Sequence, residues 1–265
     1  MSDSILLSVA DGLAHLTLNR PASLNAFDAD LAHAWRDATA EAVGRDDVRA
    51  VVLDAAGRAF CAGGDVLAMA TGLGGGADIT ALAHVINEGI VSLTTSAIPV
   101  VVAAHGTTAG GGLGIMMCGD YTVVGAGSKI GSLYANIGLT PDLSVTAQLA
   151  RAIGERRALQ LVLQDRLLSA DEAVEWGLVA EAVGGADAEA EADAVRERAQ
   201  EIARFWLSGA AGAYGQAKRL IRSQPSRTYA EQLAEEARSI GEAFETPEAR
   251  ARVAGFAAAS RKSAH

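Results

Sequence analysis

The 265-residue chain sets 22 Lys and Arg against 32 Asp and Glu, a formal charge of −10, with half its residues hydrophobic and 20% charged. That balance, with no basic cluster or aromatic–basic interleaving, excludes a nucleic-acid partner. The apolar run from Ile98 to Ala104 falls far short of the roughly 20 residues of a membrane span, and the N-terminal MSDSILLSVADG lacks the pattern of a signal peptide. We therefore expect a soluble, cytoplasmic protein in which Cys61 and Cys118, both in apolar stretches, are reduced core thiols.

In chain order, Ile5 to Val9 and Leu13 to Leu18 flank Asp11-Gly12 as a β-hairpin. A helix is predicted from about Ala29 to Val43, with Leu31, Trp35, Ala38 and Ala42 at helical spacing. Arg49 to Asp54 reads as a strand covered on both faces. A glycine-bearing loop, AAGRAFCAGGDVLAMA, follows, and the glycine-rich Thr71 to Ala77 reads as a lid or mobile loop. A helix from about Ile79 to Ser96 stops before Pro99.

The next stretch, from His105 to Asp142, organises the rest. It opens after an apolar strand, Val100 to Ala104, and passes through Gly110, Gly111 and Gly112 into a helical segment, Leu113 to Cys118. It then crosses a strand, Tyr121 to Val124, and ends on Asp142 in a Pro-Asp turn. A glycine run between strand and helix lets backbone amides face a ligand. Amides facing an oxyanion, with a carboxylate nearby, make a site for proton abstraction next to a carbonyl. The other reading of Asp142 is a helix N-cap, and close packing would also account for the glycines. Strand, glycine loop and helix thus occur twice, which predicts an α/β protein of stacked ββα units. Neither loop spells a nucleotide-phosphate fingerprint.

Beyond Ser144 the chain is predicted to be mainly helical, over Val145 to Ile153, Arg156 to Leu163 and Ser169 to Trp176. Ser169 with Glu172 forms a capping box there, and Gly177 ends the helix. Leu178 to Val183 is a short strand. Helices follow at Ala186 to Leu207, Ala211 to Arg222, Tyr229 to Phe244 and Pro247 to Ala259. We expect a core over residues 1–195 and a C-terminal helical region over 196–265. Asp65 reads as a helix cap, Arg196, Arg198 and Arg204 as a solvated face, and His15, His33, His84 and His105 as structural. No Cys or His spacing suggests a metal site.

A series of short motifs in one order resembles the crotonase superfamily, the enoyl-CoA hydratase/isomerase family. They are Leu18-Asn19-Arg20-Pro21, Leu24-Asn25-Ala26, Arg49 to Leu53, and Gly57 to Asp65 (GRAFCAGGD). Then come Ile98-Pro99-Val100, Ala109-Gly110-Gly111-Gly112, Ile137 to Asp142 (IGLTPD), Leu168 to Ala173 (LSADEA) and Trp176-Gly177-Leu178-Val179. The resemblance implies the crotonase (ClpP-like) fold and an acyl-CoA thioester substrate. Coenzyme A is then part of the substrate, with no further cofactor, and the assembly is a homotrimer or dimer of trimers. By motif position the amides that bind the thioester oxygen are those of Gly64 and Gly111. Ser23, Leu24, Ala62, Asp65, Val66 and Leu67 border the CoA, with Ala62 near the adenine. Arg261 and Lys262 fall where relatives often place basic residues near the CoA phosphates.

The departures from the family pattern narrow the chemistry. The two glutamates that activate water in hydratases fall here on Gly114 and Tyr134, and neither is a base at neutral pH. The pattern Gly-Leu-Thr-Pro-Asp instead resembles isomerases that shift double bonds in acyl-CoAs, with Asp142 as acid and base and an aromatic residue at Tyr134. The aspartate of 4-chlorobenzoyl-CoA dehalogenase also falls at Asp142, but the histidine that enzyme uses would fall near Asn87. The sequence therefore favours an enoyl-CoA isomerase. The alternatives are a hydratase or another crotonase-type lyase or hydrolase, and a non-catalytic acyl-CoA binder.

Overall fold

The computed structural model describes residues 3–164 and 166–263. The N-terminal hairpin forms as its Asp-Gly turn dictates, with β1 (Ile5–Ala10) antiparallel to β2 (Leu13–Leu18). From β2 the sheet grows in parallel through β3 (Ala50–Ala55), β4 (Val100–Ala104), β6 (Tyr121–Gly125) and β9 (Glu181–Val183), in the order β1-β2-β3-β4-β6-β9. β3 and β4 are buried at every position, which is why they read as unbroken apolar runs rather than alternating ones.

A second sheet of very short strands pairs β5 (Thr107–Ala109) with β7 (Lys129–Gly131) and β8 (Leu168–Ser169). It makes the ββα repeat explicit. A large-sheet strand runs into a small-sheet strand and then a helix at β4, β5 and α4 (Gly111–Met116), and again at β6, β7 and α5 (Val145–Ile153). After β3, a single bridge from Cys61 to Thr108 takes the small-sheet position, before α2 (Val66–Gly72) and α3 (Gly76–Thr95).

α1 (Ala29–Gly44), capped by the Asp28 carboxylate on the Leu31 N–H, packs against α3. Trp35 lies at the centre of that contact, its indole N–H donating to the Ile86 carbonyl at 3.1 Å and its ring meeting Phe27 edge-on. Cys61 and Cys118 are free and buried, and burial pushes both thiols up to about 12. α6 (Glu155–Val162) and α7 (Ala170–Trp176) follow, the latter with the expected Ser169–Glu172 capping box and with Gly177 in the left-handed region. No helix among the described residues is long and apolar enough to cross a membrane.

Three expectations need correction. The 71–77 stretch is not a long loop, because Asp65 caps α2 through the Ala68 N–H and α3 already begins at Gly76, leaving residues 73–75 as the link. A boundary at 195/196 would cut α8 (Ala188–Ser208), whose buried Val195, Ala199 and Ala203 pack on Val52, Val101 and Val123 of the large sheet. Arg196 on that helix is not part of a solvated face. It turns inward, donating to the Ala55 carbonyl at 3.1 Å and lying 3.6 Å from the Asp54 carboxylate.

Beyond α8 come α9 (Ala211–Ser223), α10 (Tyr229–Phe244) and α11 (Pro247–Ser263). Lys218 ties α9 to the core. Its ammonium is buried and spends its three donors on the Leu93 and Ile98 carbonyls and the Asp120 carboxylate, at 2.6, 2.7 and 3.0 Å. Farther out, Tyr229, Ile240, Phe244 and Phe256 are exposed. The Lys262 side chain lies outside the described residues.

Candidate active site

Two loops with glycines at their turning points meet where the chain leaves the large sheet. The first, residues 61–65, is clamped on both sides. Ala62 N–H donates to the Leu24 carbonyl at 3.0 Å, Phe27 N–H to Gly63 at 2.8 Å and Asp65 N–H to Phe27 at 2.9 Å. On the other side Ala109 N–H donates to the Cys61 carbonyl at 3.0 Å. The second loop turns at Gly110, whose φ of 53° and ψ of −128° suit only glycine, and enters α4 at Gly111. A Cβ on Gly63 would stand 3.2 Å from the Gly111 nitrogen, so the loops are in direct contact. The Gly64 and Gly111 N–H groups have no acceptor among the described residues.

The third contributor is the segment that carries Asp142. It begins with a turn of 3-10 helix, Tyr134–Ile137, and reaches α5 through Leu143 and Ser144, two non-glycine residues at φ 47° and 67°. Consecutive positive-φ residues cost of order 1–3 kcal/mol each and mark backbone held by its surroundings. Ser144, not Asp142, is the N-cap residue of α5, so the capping reading of Asp142 does not hold. Instead the Tyr134 hydroxyl donates to Asp142 Oδ1 at 2.5 Å.

The strained turn presses Leu143 onto α4. A Cβ on Gly114 would lie 1.9 Å from the Leu143 carbonyl oxygen, and one on Gly111 would lie 2.6 Å from Leu143 Cδ1. Backbone therefore fills the volume in which the first hydratase glutamate would start. No side chain fits at Gly114 unless that turn moves.

Gly64, Gly111, Tyr134 and Asp142 line one cleft of about 290 Å³. Phe27, Met69, Leu139 and Leu143 supply apolar wall, and α3 closes the cleft with Ile79, Thr80, Leu82, Ala83, His84, Ile86 and Asn87. Residues 69–83, which supply Met69, Ile79, Thr80, Leu82 and Ala83 to this wall, carry no motif in the sequence. His84, with no partner pattern in sequence, sits in this wall because α3 presents it four residues after Thr80. His105 does not reach the cleft. It is buried and donates from Nε2 to the Gly57 carbonyl at 2.7 Å. Among the described residues no group of three His, Cys, Asp or Glu side chains is placed to hold a metal ion.

Of the residues expected at the CoA, Leu24 and Ala62 are joined by a backbone hydrogen bond, with Ser23 just before Leu24. Asp65 is committed to its cap and to Arg20, 3.3 Å away. Val66 and Leu67 stand out to solvent on the first turn of α2, away from the cleft that holds Asp142.

Burial pushes the Asp142 carboxyl above the usual carboxylate range, and hydrogen bonds from Tyr134 and from its own amide offset this only in part. Burial and the adjacent Asp142 charge push the Tyr134 phenol up as well, so at neutral pH it stays a donor. A raised carboxylate that shares a cleft with two unpaired amides can take a proton from a carbon whose neighbouring carbonyl oxygen rests on those amides.

Relatives match along the whole chain. A family profile, enoyl-CoA hydratase/isomerase, covers residues 8–262. A Rhodobacter capsulatus protein named "Probable enoyl-CoA hydratase" is 32% identical over 254 residues, 96% of this chain and 94% of its own. The 1,2-epoxyphenylacetyl-CoA isomerase of Escherichia coli is 33% identical over 236 residues, 88% of this chain and 87% of its own. The crystal structure of an enoyl-CoA hydratase from Bacillus anthracis superposes with a TM-score of 0.87 at 25% identity, covering 98% of this chain and 96% of that one. With its ββα units, its two glycine loops and these full-length relatives, the chain belongs to the enoyl-CoA hydratase/isomerase family and has the crotonase fold.

Proposed function

We propose that this protein is an enoyl-CoA isomerase in which Asp142 moves one proton between two carbons of an acyl-CoA. With a 3-enoyl-CoA bound, the carboxylate takes a proton from C2. The electron pair of that C–H bond passes through C1 to the thioester oxygen, which the Gly64 and Gly111 N–H groups stabilise as an enolate. Asp142, now a carboxylic acid, gives the proton to C4. The electrons of the C3–C4 π bond form the new C4–H bond, the C2–C3 double bond forms and the thioester carbonyl returns. Leu24, with Ser23 before it, is hydrogen-bonded to Ala62 two residues before Gly64, and residues 65–67 follow Gly64; this is the side on which we place the CoA.

The observation that carries this reading is the joint placement of Asp142 and the two amides on one cleft, with backbone filling the place of a water-activating glutamate at Gly114. A non-catalytic acyl-CoA binder would leave Asp142 capping a helix or away from the cleft; Ser144 at the cap position and Asp142 among the cleft-lining residues support the catalytic reading. Hydration is the second reading, favoured by the name of the R. capsulatus relative. Offering the protein a 3-enoyl-CoA and a 2-enoyl-CoA, and following conjugated thioester and 3-hydroxyacyl-CoA separately, tests both. We expect conjugated product from the first substrate and no hydroxyacyl product from either. Rapid hydroxyacyl formation would replace the isomerase with a hydratase.

The family resemblance also leads us to propose a homotrimer or a dimer of trimers in the cytoplasm. The exposed aromatic and aliphatic side chains of α10 and α11 support self-association, which sedimentation analysis would read directly.

A further inference from the structure

We propose that Tyr134 is the positioning residue for Asp142: its hydroxyl fixes one carboxylate oxygen, so that the other oxygen is the one that carries the proton. This inference rests on the isomerase reading above and adds to it the part that orients the base.

The Asp142 segment has no regular structure to aim a side chain. Asp142 lies between a 3-10 turn and α5, followed by two residues at positive φ. A carboxylate there could rotate among several directions, while a 1,3-proton shift needs one oxygen to reach two carbons in turn. Tyr134 supplies the fixed point. Its half-buried ring packs on the core, and its hydroxyl meets Oδ1 at 2.5 Å, within the range of a charge-assisted O–H···O⁻ bond. No other side chain among the described residues bonds to the Asp142 carboxylate.

The same hydroxyl registers the base against the amides, because a Cβ built on Gly111 would lie 3.5 Å from Tyr134 Oη. A phenol beside a carboxylate could in principle be the base itself. Here it stays protonated at neutral pH, for the reasons of burial and charge given above, and a phenol with a single proton can donate to only one oxygen at a time. Donation to the ionised form also holds the carboxyl down against its burial, so losing the bond should raise the pH at which the base becomes active.

The test is the pH dependence of kcat/KM on a 3-enoyl-CoA for the wild type, Tyr134→Phe, Asp142→Asn and His84→Gln. His84 is the other titratable side chain lining the cleft, and its variant assigns the acid limb. We expect Tyr134→Phe to lower kcat by up to about 10²-fold, the scale of a misplaced catalytic group, with KM moved far less and the acid limb shifted to higher pH. His84→Gln should leave that limb in place. Replacing Tyr134 by 3-fluorotyrosine keeps the shape and strengthens the donor, and it should shift the limb to lower pH. That substitution also carries the test if Tyr134→Phe fails to fold. A limb that ignores both changes, with Asp142→Asn inactive, overturns the role of Tyr134 and leaves the isomerase standing. A fully active Asp142→Asn overturns the isomerase reading beneath it.

Discussion

Asp54 is buried within the fold and Asp142 lies in a cleft open to solvent, and their neighbours push them in opposite directions. At the end of β3, burial works against the Asp54 charge, but His15 at 2.9 Å, Thr17 and Arg196 more than offset it and hold the carboxyl below the usual range. At the cleft, the Asp142 carboxyl is partly desolvated with no cation beside it, and one phenol donor leaves it above that range. The difference separates a carboxylate that ties α8 to the sheet from one with basicity to use. Burial alone identifies neither; the count and charge of the partners does.

The largest effect on the structural side should come from Asp54→Asn. Breaking a buried ion pair costs roughly 3–5 kcal/mol. We expect about 3 kcal/mol, the low end, because His15 and Arg196 keep 27% and 28% of their side-chain surface in water. Urea unfolding should show this loss while turnover per folded molecule is unchanged. If turnover collapses with stability intact, the division between the two carboxylates is wrong.

A smaller effect, about 1–3 kcal/mol for overpacking, is expected from Gly114→Ala, since its methyl would meet the Leu143 carbonyl. Gly114→Glu should likewise fail to create a hydratase, because the turn at residues 143–144 occupies the space the glutamate needs. A stable Gly114→Glu protein that hydrates 2-enoyl-CoA would show that turn to be free to move.

The smallest effect concerns His105. Burial holds its imidazole below the ordinary range, with Arg196 acting the same way and Gly57, Asp54 and Glu191 opposing. The unfolded chain therefore takes up the proton first as pH falls through about 6.5, so stability is lost toward acid. The slope is at most about 1.4 kcal/mol per pH unit for one group. Between pH 7.5 and 5.5 the wild type should lose more stability than His105→Gln. Asp54 does not confuse the comparison, because a depressed carboxylate loses its contribution only nearer pH 3.9 and below.

Much of this arrangement is readable in the chain itself. The strand Val100–Ala104, the helices Val145–Ile153 and Tyr229–Phe244, and the Ser169–Glu172 box form where periodicity and capping chemistry place them. The small sheet is not readable, since strands of two or three residues such as Leu168–Ser169 are too short to display alternation. The glycines at 72–76 suggest a loop, yet the Asp65 cap and the packing of α3 on α1 hold helix up to Gly72 and again from Gly76. Gly64, Gly111 and Asp142 stand out in sequence as loop residues. Three features required folded coordinates: the Tyr134–Asp142 bond, the backbone against Gly114 and the place of His84 in the cleft. Each is a contact between segments that no local pattern encodes.

The central claim, that one aspartate carries the proton, is tested most directly by the turnover of a 3-enoyl-CoA by Asp142→Asn, with acyl-CoA binding measured alongside. An amide of the same shape keeps the cleft but cannot serve as base, so kcat should fall by about 10²–10⁴-fold, the usual contribution of acid–base catalysis, with binding retained. Turnover within a few-fold of the wild type would contradict the account and move the proton transfer to another group in the cleft.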